Sequence, residues 1–154
     1  MRKQFFGIAI IAILLALVSC KSADKNADAI AADMCNCFKG LEAKLSDDTK
    51  KIVENAANAA DPTKSLQDDV VALGPEKGQQ IGEEMQSLGE IDNENSETGR
   101  CIKDVEKKYK NAYSLNEDKT AQKIVKELEG KKGCSFTASL LKMGLNMKGK
   151  TGPE

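Results

Sequence analysis

The side chains of this sequence with the most specific chemistry belong to its five cysteines. Cys35 and Cys37 form a Cys-x-Cys pair, and the others are Cys20, Cys101 and Cys134. Thiols form disulfides, exchange them, or bind soft metal ions such as Cu(I). The chain has no histidine, which excludes Ser-His-Asp and Cys-His catalysis and imidazole zinc ligands. Its net charge of −1 argues against a nucleic-acid-binding surface.

Cys20 follows a segment that is typical of protein export. Arg2 and Lys3 precede a run of 14 apolar or small residues from Phe5 to Val18. As a helix this run would span roughly 21 Å, which is short of the roughly 30 Å hydrocarbon core of a membrane. The pattern therefore predicts a removable signal peptide and not a permanent membrane span.

The end of this segment, Leu17-Val18-Ser19-Cys20, resembles the lipobox of bacterial lipoproteins. In that family the cysteine thiol receives a diacylglyceryl group, and the peptide bond before the cysteine is cut. The resemblance implies that residues 1–19 are removed and that acyl chains at Cys20 hold the protein in a membrane, since two or more chains anchor stably. It also implies a place in a bacterial cell envelope, on the periplasmic side of the inner or outer membrane or at the cell surface.

Export to an oxidising compartment makes the other four cysteines candidates for disulfides. Four cysteines allow three pairings, and a bond between Cys35 and Cys37 would close a very small, strained ring. The remaining arrangements are 35–101 with 37–134, and 37–101 with 35–134. Closing a loop of roughly 64 residues is worth roughly 4 kcal/mol in the chain-entropy model, a large share of a typical stability of about 5–15 kcal/mol.

The helix predicted around the Cys-x-Cys pair favours bonds to two different elements. Its apolar stripe consists of Ile30, Met34, Cys37, Phe38, Leu41 and Leu45. Cys35 lies about 100° or more from the centre of that stripe, because successive helical residues turn by about 100°. The two thiols of the pair therefore point towards different neighbours.

An internal similarity favours one of the two pairings. Cys37–Leu45 aligns with Cys101–Tyr109 at four identical positions out of nine, and each segment leads into a Lys-Ile-Val triplet. We interpret the similarity as two related helical hairpins. The alternative is convergence, because Lys and Glu matches arise easily in a chain that is 31% charged. Related hairpins would make Cys37 and Cys101 equivalent, which favours 37–101 with 35–134.

The spacing of apolar residues predicts an all-α fold, a small disulfide-linked bundle of five to seven short helices. The helical domain is expected at residues 28–148, between a lipidated tether at 20–27 and a frayed C-terminal tail at 149–154. The expected helices cover about 28–45, 47–59, 62–74, 76–88, 101–113, 117–129 and 134–147, with a loop over 89–99.

The last predicted helix is apolar on two sides. One face carries Phe136, Leu140, Met143 and Met147, and the nearly opposite face carries Cys134, Ala138, Leu141 and Leu145. Such a helix is either buried centrally or packs one face on the bundle and offers the other to a partner. We favour central burial of this helix. The alternative is that the face with Phe136 is a candidate surface for a protein partner or apolar ligand.

These observations predict a lipid-anchored envelope protein with a non-enzymatic binding, interaction or structural role. No nucleophile elbow or phosphate-binding loop is present, and no cofactor, metal or nucleic acid is expected. The mature chain resembles small cysteine-containing helical lipoproteins of Gram-negative bacteria, which share no common activity. The alternative is a small thiol-redox or Cu(I)-handling protein that uses the Cys35-x-Cys37 pair, with thioethers from Met34, Met143 or Met147.

Overall fold

The protein was analysed as a computed structural model, which describes residues 22–110 and 117–148. Within these ranges it forms seven α-helices, one short 3₁₀ helix and no strand. Two disulfides link the helices. The predicted all-α, disulfide-linked bundle is thus confirmed. The predicted signal peptide, the lipidation site Cys20 and the tail at 149–154 lie outside the described residues.

The helices follow one another with short connections. In chain order they are α1 (Ser22–Glu42), α2 (Asp47–Asn58), α3 (Pro62–Ala72), α4 (Pro75–Ser87), α5 (Glu97–Lys108), α6 (Glu117–Glu129) and α7 (Ser135–Lys148), with the 3₁₀ helix at Leu88–Ile91. None of these described helices is both long enough and apolar enough to span a bilayer.

Helix α1 differs from the prediction at both ends. It begins at Ser22, inside the expected tether, and Ala27 is buried one helical turn before Ile30 and Ala31. The apolar face therefore starts earlier than the large side chains indicate, because alanine both favours a helix and fits a close contact. The helix ends at Glu42, but Leu45 beyond it is still buried in the core.

The starts of α2 and α3 follow the prediction because their caps are local. The Ser46 side chain accepts a hydrogen bond from the Thr49 backbone N–H, and Asp61 accepts one from Lys64 in the same way. These bonds satisfy N–H groups that have no partner within the helix. Pro62 stands at the first position of α3, where its fixed φ suits a helix and its missing N–H costs nothing.

The start of α5 was predicted too late. Ser96 accepts a hydrogen bond from the Gly99 backbone N–H at 2.8 Å and caps a helix that begins at Glu97, not near Cys101. Part of the expected loop is also ordered, since Leu88–Ile91 forms the 3₁₀ helix. The segment is polar throughout, so the one serine that caps the helix did not indicate a helix start in the sequence.

The core is built on α1. This helix packs chiefly against α6 and α5, whereas α2 packs chiefly against α7 and α3. The largest buried cluster joins Ile30, Phe38 and Leu41 of α1 to Leu128 of α6 and Ala138 of α7. The expected hairpins, α1 with α2 and α5 with α6, are not the principal packing pairs of the described chain.

Candidate functional site

Both disulfides start from α1. Cys35 is bonded to Cys134, just before α7, and Cys37 is bonded to Cys101 in α5. The Cα atoms are 5.4 and 5.5 Å apart, within the usual range for a disulfide. This is the arrangement that the internal similarity favours. The two sulfurs of the Cys-x-Cys pair are therefore bonded to two different elements of the fold.

The two disulfides lie in different surroundings. Cys35 and Cys134 are 3% and 5% exposed, so both sulfurs of this bond belong to the core. Cys37 is also buried, at 6% exposure, but its partner Cys101 is partly exposed. Only the second of these bonds therefore includes a partly exposed cysteine, and this difference makes it the candidate site.

Two clefts lie beside the Cys37–Cys101 bond. The first, of about 320 Å³, lies between α1 and the segment that precedes α5, and its walls include both cysteines, Lys44 and Asn95. The second, of about 430 Å³ and more open, is lined by Cys101, Asp33, Asn36, Asp104, Val105 and Lys108. Cys101 and Asn36 line both clefts, so the residue at the accessible end of the bond is approached from two sides.

The wall of the first cleft depends on a tight turn at the start of α5. The Asn93 side chain accepts a hydrogen bond from the Asn95 backbone N–H, and the Asn93 carbonyl accepts one from the Ser96 N–H. The chain then passes so close to Gly99 that a Cβ there would lie 2.1 Å from the Asn93 carbonyl oxygen. Glycine at this position therefore allows the turn to close against the helix.

The far end of α5 is fastened to α1 at Asp33. Its carboxylate accepts hydrogen bonds from Lys108 Nζ at 2.7 Å and from the Tyr109 hydroxyl at 2.8 Å. The hydrogen bond from Lys108, followed by the one from Tyr109, lowers the pKa of Asp33 below its ordinary value of 3.8. The hydrogen bond to Asp33 in turn raises the pKa of Lys108. Beyond α1, the principal neighbour of α5 is the 3₁₀ helix. The Cys37–Cys101 bond thus joins a peripheral helix to the centre of the bundle.

The face proposed on the last helix lies largely inside the bundle. Phe136 and Met143 are 5% and 7% exposed, and Leu140 and Met147 are partly buried. Phe136 packs with Leu45 and Val53, and the two methionines pack against Ala56 and Ala57 of α2. This placement agrees with the central burial predicted for this helix at Phe136 and Met143.

The methionines are not gathered around the Cys-x-Cys pair. Met34 packs in the cluster that contains the disulfides, whereas Met143 and Met147 belong to a separate cluster with α2. Over residues 22–110 and 117–148, no three Cys, Asp or Glu side chains are close enough together to hold a metal ion.

Glu84 is a structural residue that the sequence did not reveal. Its Oε2 atom accepts hydrogen bonds from the Ser46 backbone N–H and hydroxyl and from the Thr49 hydroxyl. Its Oε1 atom accepts another from Gln80. The carboxylate thus caps the N-terminus of α2, where negative charge is favourable, and its oxygens are engaged in holding α4 in place.

Comparison with known proteins places the chain in no family. No protein-family model matches the sequence, and neither a curated protein nor a solved structure is similar to it.

Proposed function

We propose that this is a lipid-anchored, non-enzymatic protein of a bacterial cell envelope, with a binding or structural role carried by its disulfide-linked helical domain. The observation that supports this most directly is the pair of disulfides from α1 to segments 99 and 64 residues away. Such bonds persist in oxidising compartments and are rare in the reducing cytosol. The lipobox-like Leu17-Val18-Ser19-Cys20 leads independently to the same compartment.

The position of α1 supports a short attachment. The helix already includes Ser22, which is two positions after the proposed lipid-bearing Cys20. The same helix carries both disulfides. A lipid at Cys20 would therefore hold the domain near the membrane surface through a cross-linked helix, without a long flexible stalk. We propose that the domain is presented to its partner in this restricted position.

The clefts beside Cys37–Cys101 are the candidate surface for that partner. The first cleft is lined by three asparagines, Asn36, Asn93 and Asn95, together with Lys44 and Glu97. Amide groups both donate and accept hydrogen bonds. A surface of this composition suits a polar group of a partner better than an apolar ligand.

Mass spectrometry of the N-terminal peptide tests the lipid anchor. The wild-type chain, expressed in a Gram-negative bacterium, should lose residues 1–19 and carry diacylglyceryl mass on Cys20. Cys20→Ala should keep the signal peptide and carry no acyl mass, whereas the control Lys21→Ala should be processed normally. An unmodified Cys20 in membrane-associated wild-type protein would refute the anchor.

A thiol-redox or Cu(I)-handling role is the second candidate, and it requires free thiols at Cys35 and Cys37. Both sulfurs are bonded in this structure. Alkylation of intact envelopes before lysis, followed by peptide mapping, separates the two functions. Unmodified disulfides at all four cysteines support the first proposal, and alkylated Cys35 and Cys37 support the second.

A further inference from the structure

We propose that the Cys37–Cys101 disulfide is a site of thiol–disulfide exchange, which a dithiol reductant opens while the Cys35–Cys134 bond stays closed. The inference does not depend on lipid attachment. It follows from the unequal surroundings of two bonds that share the same helix.

The expected difference in reactivity between the two bonds comes from access to sulfur. Exchange requires a thiolate to reach one sulfur of the bond, so a bond sealed in the core reacts slowly. Cys35 and Cys134 both lie in the core. Cys101 is partly exposed and lines both clefts beside the bond. A reductant can therefore approach Cys101 without opening the bundle.

Charge does not add to the difference between the two bonds. Lys44 lines the first cleft together with Glu97, and Lys108 lines the second together with Asp33 and Asp104. A positive side chain favours a thiolate, but these carboxylates offset the lysines. The proposal therefore depends on access to the sulfur.

The reaction proceeds in two balanced steps. A thiolate of the dithiol attacks Cys101 Sγ, forms a mixed disulfide there, and releases Cys37 as a thiolate that takes a proton. The second thiol of the reductant then loses its proton and attacks the reductant's first sulfur, which is bonded to Cys101 Sγ in the mixed disulfide. Cys101 leaves as a thiolate and is protonated, so two electrons pass from the dithiol, which becomes a disulfide, to the protein.

Opening this bond should loosen α5 and leave the rest of the domain folded. Apart from the disulfide, α5 is held to α1 by buried Val105 and by the hydrogen bonds that Lys108 and Tyr109 donate to Asp33. The packing of α2 against α7 and of α6 against α7 does not involve α5. Exchange would therefore release one wall of both clefts.

The test uses the full oxidised chain in detergent micelles, treated with limiting dithiothreitol under native conditions, quenched with acid, alkylated and mapped by mass spectrometry. We expect alkylation at Cys37 and Cys101 about tenfold faster than at Cys35 and Cys134. In denaturant the two bonds should react at similar rates. Equal native rates, or earlier reduction of Cys35–Cys134, would overturn the proposal.

Two paired variants serve as matched controls. The double change Cys37→Ser with Cys101→Ser should lack the fast phase, and Cys35→Ser with Cys134→Ser should retain it. The wild-type measurement decides the question if either variant does not fold. With glutathione as a monothiol, the first adduct should form on Cys101, and an adduct on Cys37 would contradict the assigned direction.

Hydrogen–deuterium exchange of the half-reduced chain tests the structural consequence. Exchange should rise about tenfold or more over residues 97–108 and stay unchanged in α2 and α7. A rise of exchange across the whole domain would show that the bond holds the entire fold, and it would refute a local exchange site.

Discussion

The Thr49 hydroxyl donates a hydrogen bond to Oε2 of Glu84 at 2.6 Å, and this bond joins the first turn of α2 to α4. The same oxygen accepts two further hydrogen bonds from Ser46, and Gln80 donates to Oε1. Burial raises the pKa of the Glu84 carboxyl, but these hydrogen bonds together outweigh it and lower the pKa from 4.5 to about 2. The ionised carboxylate is therefore the form that fastens α4 to the bundle.

Replacement of Glu84 by glutamine should lower the free energy of unfolding by about 1–3 kcal/mol at pH 7, because a charged acceptor of partly buried hydrogen bonds is lost. Urea denaturation measures the change. Glu83→Gln is the matched control and should stay within about 0.5 kcal/mol, since Glu83 is exposed and pairs only with Gln79 among the described contacts. Equal effects of the two changes would contradict the structural role of Glu84.

The Glu84 contribution should disappear in acid. Its folded-state pKa is lowered, so its stabilising effect is present above the ordinary value of 4.5 and is lost as the pH falls towards about 2. The difference in urea midpoint between wild type and Glu84→Gln should be constant from pH 6 to 7 and shrink below about pH 4.5. A difference that persists unchanged at pH 2 would show that the charge of Glu84 is not responsible.

Gly99→Ala should destabilise the protein by about 2 kcal/mol or more, because the new Cβ would lie 2.1 Å from the Asn93 carbonyl oxygen. The backbone of the turn would have to move. Gly40→Ala in α1 is the control: apart from the neighbouring backbone of its own helix, no atom would lie within 4 Å of a Cβ there, so the change should stabilise the protein by about 0.5–1 kcal/mol. Chemical denaturation of both variants checks the pair, and a neutral Gly99→Ala would disprove the close approach.

Thr137→Val should be neutral or should stabilise the protein by about 1 kcal/mol. Thr137 is fully buried, and its Oγ1 has no hydrogen-bond partner among the residues that the structure describes. Removing an unsatisfied hydroxyl while keeping the side-chain shape avoids its desolvation penalty. Thr49→Val removes a hydroxyl that is hydrogen-bonded to Glu84 and should cost about 1–3 kcal/mol. Thermal unfolding compares the stabilities of the two variants. A large loss of stability on Thr137→Val would show that the Thr137 hydroxyl has a hydrogen-bond partner.

The sequence alone determined the features that depend on near neighbours. The helical class follows from apolar spacing, and the starts of α2 and α3 follow from Ser46, Asp61 and Pro62, because cap bonds join residues three positions apart. The strain of a Cys35–Cys37 ring reduced the three possible disulfide pairings to two, and the internal similarity favoured the observed one. The late start assigned to α5 shows the limit, since a single serine at position 96 is a weak signal in a polar segment.

Only the tertiary structure decided what distant residues do together. Glu83 and Glu84 are alike in sequence, but one is exposed and the other accepts hydrogen bonds from Ser46 and Thr49 of another helix. The two disulfides also look alike in sequence, and their unequal burial arises because one joins central elements and the other joins peripheral α5. Burial and hydrogen bonding between helices depend on how the chain packs in three dimensions, which local residue spacing does not specify.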